Sequence, residues 1–154
     1  MAVLSVAERL PDVLFVLAGT HSDALGGFPR PDNVIARGVV GVDEMHVLLS
    51  MCTVALNPMC RGSGTNIKML DYFAAGAPTI ATTIGARGLG AEHAVHLLLA
   101  ASPDGLVDAI REICADAERG TRLAAAAHHL AQQNNWADLG RRYTEHVMQA
   151  LGES

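Results

Sequence analysis

The feature that most constrains the fold of this chain is a segment in which an apolar strand pattern leads into a glycine-bearing loop and then into a helical pattern. The apolar run covers residues 52–56, and the loop contains Gly62 and Gly64. Apolar residues then follow with helical spacing at Ile67, Leu70, Phe73 and Ala74. Small residues let a ligand approach the backbone, and the first N–H groups of a helix attract an anion. We therefore predict an anion-binding loop in an α/β fold.

Two charged side chains in the predicted helix indicate which kind of anion fits. Lys68 lies in the first turn or two, where an ammonium group would help to neutralise a diphosphate. Asp71 follows three residues later on the same face, where a carboxylate would accept hydrogen bonds from sugar hydroxyls. This combination is what a nucleotide requires. The same spacing also fits an ordinary helix with a surface Lys–Asp pair, and spacing alone does not separate the two interpretations.

Two common nucleotide-binding templates do not fit the loop. The P-loop template GxxxxGK[ST] fails because Ile67 precedes Lys68 and Met69 follows it. No GxGxxG pattern opens a strand–helix turn, so the dinucleotide fingerprint is also absent from the sequence. Neither a Walker-type site nor a dinucleotide site is therefore predicted.

The segment instead resembles the C-terminal half of the group 1 glycosyltransferases, which have the GT-B fold. That family carries a strand ending in proline, a small-residue loop, a helix with an acidic residue, the pattern A-x-G-x-P and a further strand. The corresponding residues here are Pro58, Gly62-Ser-Gly-Thr65, Lys68-Met-Leu-Asp71, Ala74-Ala-Gly-Ala-Pro78 and Thr79-Ile-Ala-Thr-Thr-Ile-Gly-Ala-Arg-Gly-Leu89. The resemblance is loose over residues 1–148 and dense over residues 55–89.

The resemblance implies roles for several residues. Asp71 stands where the family usually has a glutamate that holds the donor's ribose, and the loop over residues 61–65 would face the donor's phosphates and sugar. The family's frequent second glutamate, eight residues earlier, is Ser63 here, as in members that carry a G-S-G-T-x-x-K loop. That departure leaves the sugar contacts usually made by this glutamate without a counterpart. The backbone at residues 39–40 would contact the nucleotide base.

These considerations give an expected set of site residues. The catalytic residues are expected to be Lys68 and Arg61, acting on charge that develops on the leaving diphosphate. The donor-binding residues are expected to be Gly19, Thr20, Val40, Gly62, Ser63, Gly64, Thr65, Asn66 and Asp71. Gly19 and Thr20 end the first strand candidate, at the carboxyl edge where ligands of open sheets bind. The resemblance implies no cofactor and a UDP- or GDP-sugar as donor substrate.

No metal site is predicted. The chain has no D-x-D motif, and His93 and His96 would point to opposite faces of a strand. His128 and His129 are adjacent on an alanine-rich helix and lack a carboxylate partner.

Composition excludes other classes of partner. The chain has 154 residues, enough for one α/β domain, and its mean hydropathy of +0.24 with 50% hydrophobic residues excludes overall disorder. A formal net charge of −5 and a pI of about 5.7 argue against binding to nucleic acid or an anionic membrane. Only 4% of the residues are aromatic, so stacking platforms for single-stranded nucleic acid are not expected.

Cysteine usage and hydropathy predict a cytoplasmic protein. The three cysteines Cys52, Cys60 and Cys114 are an odd number without CxxC spacing, as expected for free thiols in a reducing compartment. No apolar run approaches the roughly 18–20 residues of a membrane span. Glu8 and Arg9 interrupt the apolar N-terminal stretch, so no signal peptide is expected.

The order of elements predicts the fold class. Strand candidates cover residues 13–18, 33–38, 52–56, 79–83 and 94–100. Helix candidates cover residues 2–10, 43–51, 67–75, 103–117 and 121–130, and a last one begins at residue 135. The continuous apolar run over residues 13–18 indicates a strand buried on both faces. We therefore predict a Rossmann-like, doubly wound α/β domain with a mostly parallel sheet and helices on both faces, as in the C-terminal half of a GT-B fold.

The leading hypothesis is that residues 1–154 form one donor-binding domain of a longer two-domain enzyme, whose N-terminal domain would hold the acceptor. Since the chain starts at a helix, the family's first strand of this domain and its phosphate loop are expected to be missing. The resemblance implies a retaining hexosyltransferase, inactive as an isolated fragment. A stripe on the last helix is expected to contact the other domain, at Trp136, Leu139, Tyr143 and Val147. A non-catalytic nucleotide-binding or regulatory domain and half of a sugar-nucleotide epimerase remain as alternatives.

Overall fold

The computed structural model of the chain describes residues 2–20, 22, 29–134, 144–145, 147–149 and 152. The helices are α1 (Ala2–Glu8), α2 (Val42–Met51), α3 (Lys68–Ala74), α4 (Pro103–Ala115) and α5 (Ala117–Gln133). The strands are β1 (Phe15–Ala18), β2 (Val34–Gly38), β3 (Ala55–Asn57), β4 (Thr79–Ala81) and β5 (Leu98–Leu99). Strands and helices thus alternate through most of the chain.

The strands form two parallel sheets. In the first sheet β1 pairs with β2, with Phe15 opposite Val34. In the second sheet the order is β3-β4-β5, and Ile80 at the centre of β4 lies opposite Leu98 of β5. Within the described residues, no strand ladder joins the first sheet to the second. The edge of β1 opposite β2 and the edge of β3 opposite β4 therefore have no described strand partner.

One hydrophobic cluster nevertheless holds both sheets on the same two helices. Helix α4 has buried apolar residues at helical spacing, and the side chain of its N-cap Ser102 accepts the N–H of Gly105 at 3.1 Å. The cluster combines α1 and α4 with side chains of both sheets, including Val6, Leu10, Phe15, Val34, Ile80, Leu98, Leu106 and Ile110. One face of each sheet therefore packs against α1 and α4 in a single hydrophobic core.

The other face of the second sheet is covered by α2, α3 and α5. Met69 and Phe73 of α3 are completely buried against Ala81, Leu97 and Ala127. Leu49 of α2 packs with Ala55 and Ala77 in a smaller cluster. Helices thus lie on both faces of a parallel sheet, which confirms the predicted α/β class.

Helices α4 and α5 meet at a single residue, Asp116. Its side chain accepts the N–H of Arg119 at 2.8 Å, and its own N–H donates to the carbonyl of Glu112 at 3.0 Å. Asp116 therefore ends one helix and begins the next. The sequence pattern instead predicts a break at Gly120 and a cap at residue 121, which is wrong because Gly120 lies inside α5.

The prediction that the first strand is buried on both faces is wrong. Phe15 points into the core, whereas Val16 is 41% exposed and Ile35 in the neighbouring strand is 42% exposed. The described helices α1 and α4 cover only one face of the β1–β2 sheet. An apolar run shows that a strand tolerates burial, but it does not show that a helix covers it.

Two further predicted elements differ from the structure. The strand predicted over residues 94–100 is reduced to Leu98–Leu99, because Ala94 adopts a positive φ of 61° and turns the chain before it. An aspartate at the start of the helix candidate over residues 43–51 predicts Asp43 as the N-cap, but α2 begins after Gly41 as N-cap and Asp43 lies inside its first turn. Of the last predicted helix, Trp136, Leu139 and Tyr143 lie outside the described residues, and Val147 is exposed.

Candidate functional site

Two loops leave the same edge of the second sheet. The β3 loop (residues 58–67) follows β3, and the β4 loop (residues 82–91) follows β4. Because β3 and β4 are parallel neighbours, both loops begin side by side at the carboxyl edge, where open α/β sheets bind ligands. The β3 loop contains six of the predicted site residues, namely Arg61, Gly62, Ser63, Gly64, Thr65 and Asn66.

Thr82 connects the bases of the two loops. Its hydroxyl donates to the carbonyl of Met59 in the β3 loop and accepts the N–H of Gly85 in the β4 loop at 2.9 Å. Its backbone N–H donates to the carbonyl of Asn57 at 3.2 Å, which extends the β3–β4 ladder by one bond. The two loops are thereby held together where they leave the sheet.

The carbonyl of Gly85 is a second point of connection. The side-chain amides of Asn57 and Asn66 both donate to it, at 3.1 Å and 3.0 Å. The amide of Asn66 also lies 3.2 Å from the sulfur of Met59. Asn57 is completely buried, and its Oδ1 has no hydrogen-bond partner among the described residues. These contacts fix Asn66 at the end of the β3 loop, just before α3.

Glycines make this close approach of the loops feasible. A β-carbon at Gly85 would lie 2.6 Å from the carbonyl oxygen of Asn57. A β-carbon at Gly88, where φ is +85°, would lie 2.5 Å from the hydroxyl oxygen of Thr65. Both distances are far below van der Waals contact, so any larger residue would force the β4 loop away from β3 at Gly85 and from the β3 loop at Gly88.

Arg87 ties the outer parts of the two loops together. Its Nη2 donates to the carbonyl of Gly62 at 2.8 Å and to that of Gly64 at 3.3 Å, and its Nε donates to the Gly64 carbonyl at 3.4 Å. In the sequence, Arg87 follows the strand candidate over residues 79–83, a position from which an arginine could reach a donor phosphate or carboxylate. In the structure its guanidinium group binds the backbone of the β3 loop.

The start of α3 differs in detail from the predicted anion site. The N–H groups of Met69 and Leu70 donate to the carbonyls of Asn66 and Ile67 at 3.0 Å and 2.8 Å, so both are used within a tight turn. Ile67, which the helical spacing placed on the buried face, is 57% exposed, and Met69 is buried instead. The N–H groups of Ser63 and Thr65 have no acceptor among the described residues. Free backbone donors are therefore found in the loop, those of Ser63 and Thr65 among them.

Positive charge is concentrated around these loops although the whole chain is acidic. Residues 45–91 contain three basic residues, Arg61, Lys68 and Arg87, and a single acidic residue, Asp71. None of the three cations forms an ion pair among the described residues. By contrast, Arg9 and Arg37 are paired with carboxylates elsewhere on the surface. An anion bound at the loops would thus meet cations that are not already neutralised.

Lys68 and Asp71 lie on the exposed surface of α3. Partial burial lowers the pKa of Lys68, because the charged ammonium loses some of its hydration. Next to Asp71, burial raises the pKa of Tyr72, and the Asp71 carboxylate raises it further. Neither Lys68 nor Asp71 is directed into the core, so both remain accessible to a ligand.

The remaining predicted site residues lie on the first sheet. Gly19 and Thr20 follow β1, and Val40 follows β2, so each stands at the carboxyl end of its strand. Gly19 has a φ of +118°, and its N–H donates to the carbonyl of Gly38 at 2.7 Å. In the described residues, no hydrogen bond joins Gly19, Thr20 or Val40 to the β3 loop.

The histidines predicted not to bind a metal are engaged in other contacts. Nδ1 of His93 accepts the N–H of Leu99 at 2.9 Å, and Nδ1 of His96 accepts that of Glu92 at 3.1 Å. Nδ1 of His128 lies 3.1 Å from the carbonyl of Ala74, at the end of α3. No group of three or more metal-ligating side chains is present in the part of the chain that the structure describes.

Three residues of the loop network escaped the sequence reasoning, namely Asn57, Thr82 and Gly85. Asn57 is a polar residue at the end of an apolar strand, which is a usable signal because a buried amide requires hydrogen-bond partners. Thr82 and Gly85 lie three residues apart in the loop after β4, and only the alignment of β4 with β3 brings Thr82 to Met59 and Gly85 to Asn57.

Comparison with known proteins gives a family match. A family model described as "Glycosyl transferases group 1" matches residues 1–116. No curated protein sequence matches the chain significantly.

Solved structures share the fold at low sequence identity. The structure of Anabaena HepE in complex with UDP-glucose superposes with a TM-score of 0.79 at 15% identity, covering 96% of this chain and 44% of that one. Sucrose-phosphate synthase from Thermosynechococcus elongatus gives 0.81 at 18% identity, covering 99% and 42%. The C-terminal domain of a group 1 family protein (LpcC) from Francisella tularensis gives 0.61 at 10% identity, covering 84% and 91%.

The chain therefore spans less than half the length of HepE and of sucrose-phosphate synthase. None of the helices in the described part of the chain combines the length and apolar character that crossing a bilayer requires.

Proposed function

Because the chain belongs to the group 1 glycosyltransferases, we propose that its β3 loop and α3 bind the diphosphate and ribose of a nucleotide-sugar donor. The observation that carries this proposal is the combination of free backbone donors and unpaired cations at the carboxyl edge of a buried sheet, both found among the described residues. A diphosphate is the ligand whose charge and acceptor oxygens match such a surface. The solved structure of HepE with UDP-glucose supports the same class of ligand.

The proposed roles follow from position. Backbone N–H groups at Ser63 and Thr65 would donate to phosphate oxygens, with Gly62 and Gly64 letting them approach closely. Lys68 and Arg61 would stabilise the charge that builds up on the leaving diphosphate, an electrostatic contribution to catalysis. Asp71, three residues beyond Lys68 on α3, would accept hydrogen bonds from the ribose hydroxyls.

Other predicted residues have less direct roles. Asn66 would keep the end of the β3 loop in place through its bond to the Gly85 carbonyl. Gly19, Thr20 and Val40 would contact the parts of the donor that lie beyond the phosphates. UDP-sugar and GDP-sugar are both compatible with this proposal, because no described side chain selects the base. No cofactor is required by it.

We further propose that residues 1–154 act within a longer two-domain enzyme that holds an acceptor on its other domain. The relatives in which the chain covers 42–44% of the length support this arrangement. In such an enzyme the reaction would be a hexosyl transfer with retention of configuration, and residues 1–154 alone would bind donor without transferring sugar. Family membership favours a transferase over a regulatory domain or an epimerase half.

Binding of UDP, GDP and uridine to the 154-residue chain tests the proposal directly. Isothermal titration calorimetry should show binding of at least one nucleoside diphosphate, accompanied by thermal stabilisation that grows with ligand concentration. Lys68→Ala should lower the affinity for that nucleoside diphosphate by about 10- to 100-fold, because a charge-assisted contact is lost. The affinity for the nucleoside should fall by less than about twofold, since a nucleoside carries no phosphate.

Arg111→Ala is the matched control, because Arg111 is an exposed cation on α4 without an ion pair among the described residues. This variant removes the same charge from the protein and should leave diphosphate affinity unchanged. Equal weakening of diphosphate and nucleoside by Lys68→Ala would contradict a phosphate role for Lys68. Failure of both UDP and GDP to bind the wild-type chain would contradict donor binding.

A further inference from the structure

Arg87 occupies an unusual position for a cation in an anion-binding region. Its guanidinium group donates hydrogen bonds to two backbone carbonyls of the β3 loop, those of Gly62 and Gly64, over distances of 2.8–3.4 Å. Arginine is suited to this arrangement, because its planar fork carries several N–H donors in fixed directions. It forms no ion pair with a carboxylate in the described part of the chain.

These two contacts determine the orientation of two peptide groups. In a trans peptide the carbonyl and the following N–H point in opposite directions. Since the carbonyls of Gly62 and Gly64 point towards the guanidinium, the N–H groups of Ser63 and Thr65 point away from it. Neither of these two N–H groups has an acceptor among the described residues, so both are available to a ligand.

Because Gly62 and Gly64 are flexible, the orientation of these two peptide groups depends on a contact from outside the loop. Gly62 and Gly64 have φ values of +150° and +85°, in regions that glycine enters and leaves at little cost. A loop with two such residues has many alternative conformations when nothing holds it. In contrast to its base, which Thr82 and Asn66 fix, the tip of the β3 loop is tied to the β4 loop by the Arg87 side chain.

We infer that Arg87 is a positioning residue, which aligns the Ser63 and Thr65 N–H groups for the diphosphate by holding the carbonyls of Gly62 and Gly64. This inference rests on the proposed donor site and adds to it a residue that acts through the loop backbone. It differs from a direct contact between Arg87 and phosphate in what the site requires. Positioning requires the fork of donors, whereas a direct electrostatic contact requires chiefly the positive charge.

The variants Arg87→Lys and Arg87→Met separate these two roles. Lysine keeps the charge but cannot hold two carbonyls in the fixed geometry of the fork, and methionine removes both charge and donors. If Arg87 positions the loop, both variants should lower the affinity for UDP, or for GDP where that is the nucleotide bound, by about tenfold, the effect of losing one charge-assisted hydrogen bond. Uridine affinity should change by less than about twofold, because no phosphate is involved. Arg111→Lys and Arg111→Met serve as matched controls on α4 and should leave UDP affinity unchanged.

A second measurement needs no ligand. In ¹H–¹⁵N NMR spectra of the unliganded chain, the amide signals of Ser63 and Thr65 should shift in both Arg87 variants, while those of β4 should stay in place. Wild-type UDP affinity in Arg87→Lys, with loss only in Arg87→Met, would overturn positioning in favour of a direct charge contact. Unchanged Ser63 and Thr65 signals would overturn it as well, whether or not UDP binds. Failure of both UDP and GDP to bind the wild type, together with shifted signals, would instead count against the donor site and leave the anchoring contact intact.

Discussion

The two sheets of this molecule differ in how completely they are covered. In the β3–β4–β5 sheet, Ile80 and Ala81 are neighbours in β4 that point to opposite faces, and both are completely buried. In the β1–β2 sheet only the face towards α1 and α4 is buried, and Val16 and Ile35 on the other face are 41% and 42% exposed. The sequence patterns of the two regions are nevertheless similar, since both are short apolar runs.

The difference in coverage matches the difference between the loops that the two sheets carry. The loops that carry the candidate phosphate site leave the fully covered sheet, and they are joined to each other through Thr82, Asn66 and Arg87. Gly19, Thr20 and Val40, which are proposed to contact other parts of the donor, follow the strands of the β1–β2 sheet, which is covered on one face only. A site that must hold charge in a fixed geometry gains from a support that cannot shift, because interiors packed on both faces resist deformation.

The largest expected effect comes from shortening matched isoleucines in the two sheets. Ile80→Ala in β4 should destabilise the protein by about 2–5 kcal/mol, because it opens a cavity at a completely buried position. Ile35→Ala in β2 loses the same atoms at a position that is 42% exposed and should cost less than about 1.5 kcal/mol. Urea unfolding of both variants measures the two values. Similar losses at the two positions would show that the exposed face of β2 is covered in solution.

A smaller effect is expected from adding one carbon atom between the loops. Gly85→Ala would place a β-carbon 2.6 Å from the carbonyl oxygen of Asn57, so we expect a loss of about 1–3 kcal/mol. Gly105→Ala in α4 is the control, because a β-carbon there would meet its nearest atoms at the ordinary contact distance of 3.5 Å or more and alanine suits a helix. Thermal unfolding compares the two variants. Equal stability of both would contradict the close approach of β3 and the β4 loop.

The smallest expected effect concerns pH. Partial burial lowers the pKa of Lys68, and a bound diphosphate would stabilise its ammonium and raise that pKa again. Affinity for a nucleoside diphosphate should therefore fall as pH rises through the lowered pKa, beginning below the ordinary lysine value of 10.5. Calorimetry between about pH 7 and pH 10 measures the fall. Lys68→Arg should remove it, because arginine stays charged throughout this range.

The sign for folding is opposite to that for binding. A lysine whose pKa is lowered in the folded state disfavours folding while it is charged in both states. Stability should therefore rise with pH between the lowered pKa of Lys68 and 10.5, and Lys68→Met should abolish that part of the pH dependence.

For the binding prediction, a nucleotide affinity that stays constant over the same pH range would contradict an ionic contact at Lys68.

Several features of the fold were predictable from the sequence for physical reasons. Alternation of apolar runs with helical spacing predicts parallel strands joined by helices, and the glycine-bearing stretch after β3 predicts a loop at the sheet edge. A serine followed by a proline, as at Ser102 and Pro103, is typical of a helix N-terminus, and in the structure Ser102 is the N-cap and Pro103 the first residue of α4. These features depend on local chemistry, which a sequence displays directly.

Other features depend on distant parts of the chain and were not predictable. The exposure of Val16 depends on which helices reach that face of the sheet, and nothing within residues 13–18 specifies this. The contact of Thr82 with Met59 depends on the register between β3 and β4. The sequence shows that Arg87 is a cation in the loop after β4, but its attachment to two carbonyls depends on the mutual position of both loops.

The corner at Asp116 has a mechanical consequence. With only one residue between them, α4 and α5 cannot swing independently unless the bonds of Asp116 to Arg119 and Glu112 break. Helix α5 contacts the end of α3 through His128, and α4 packs against α1 on the opposite face of the β3–β4–β5 sheet. Helices on both faces of the second sheet are therefore connected to α3 in series, through His128 to α5 and through Asp116 to α4.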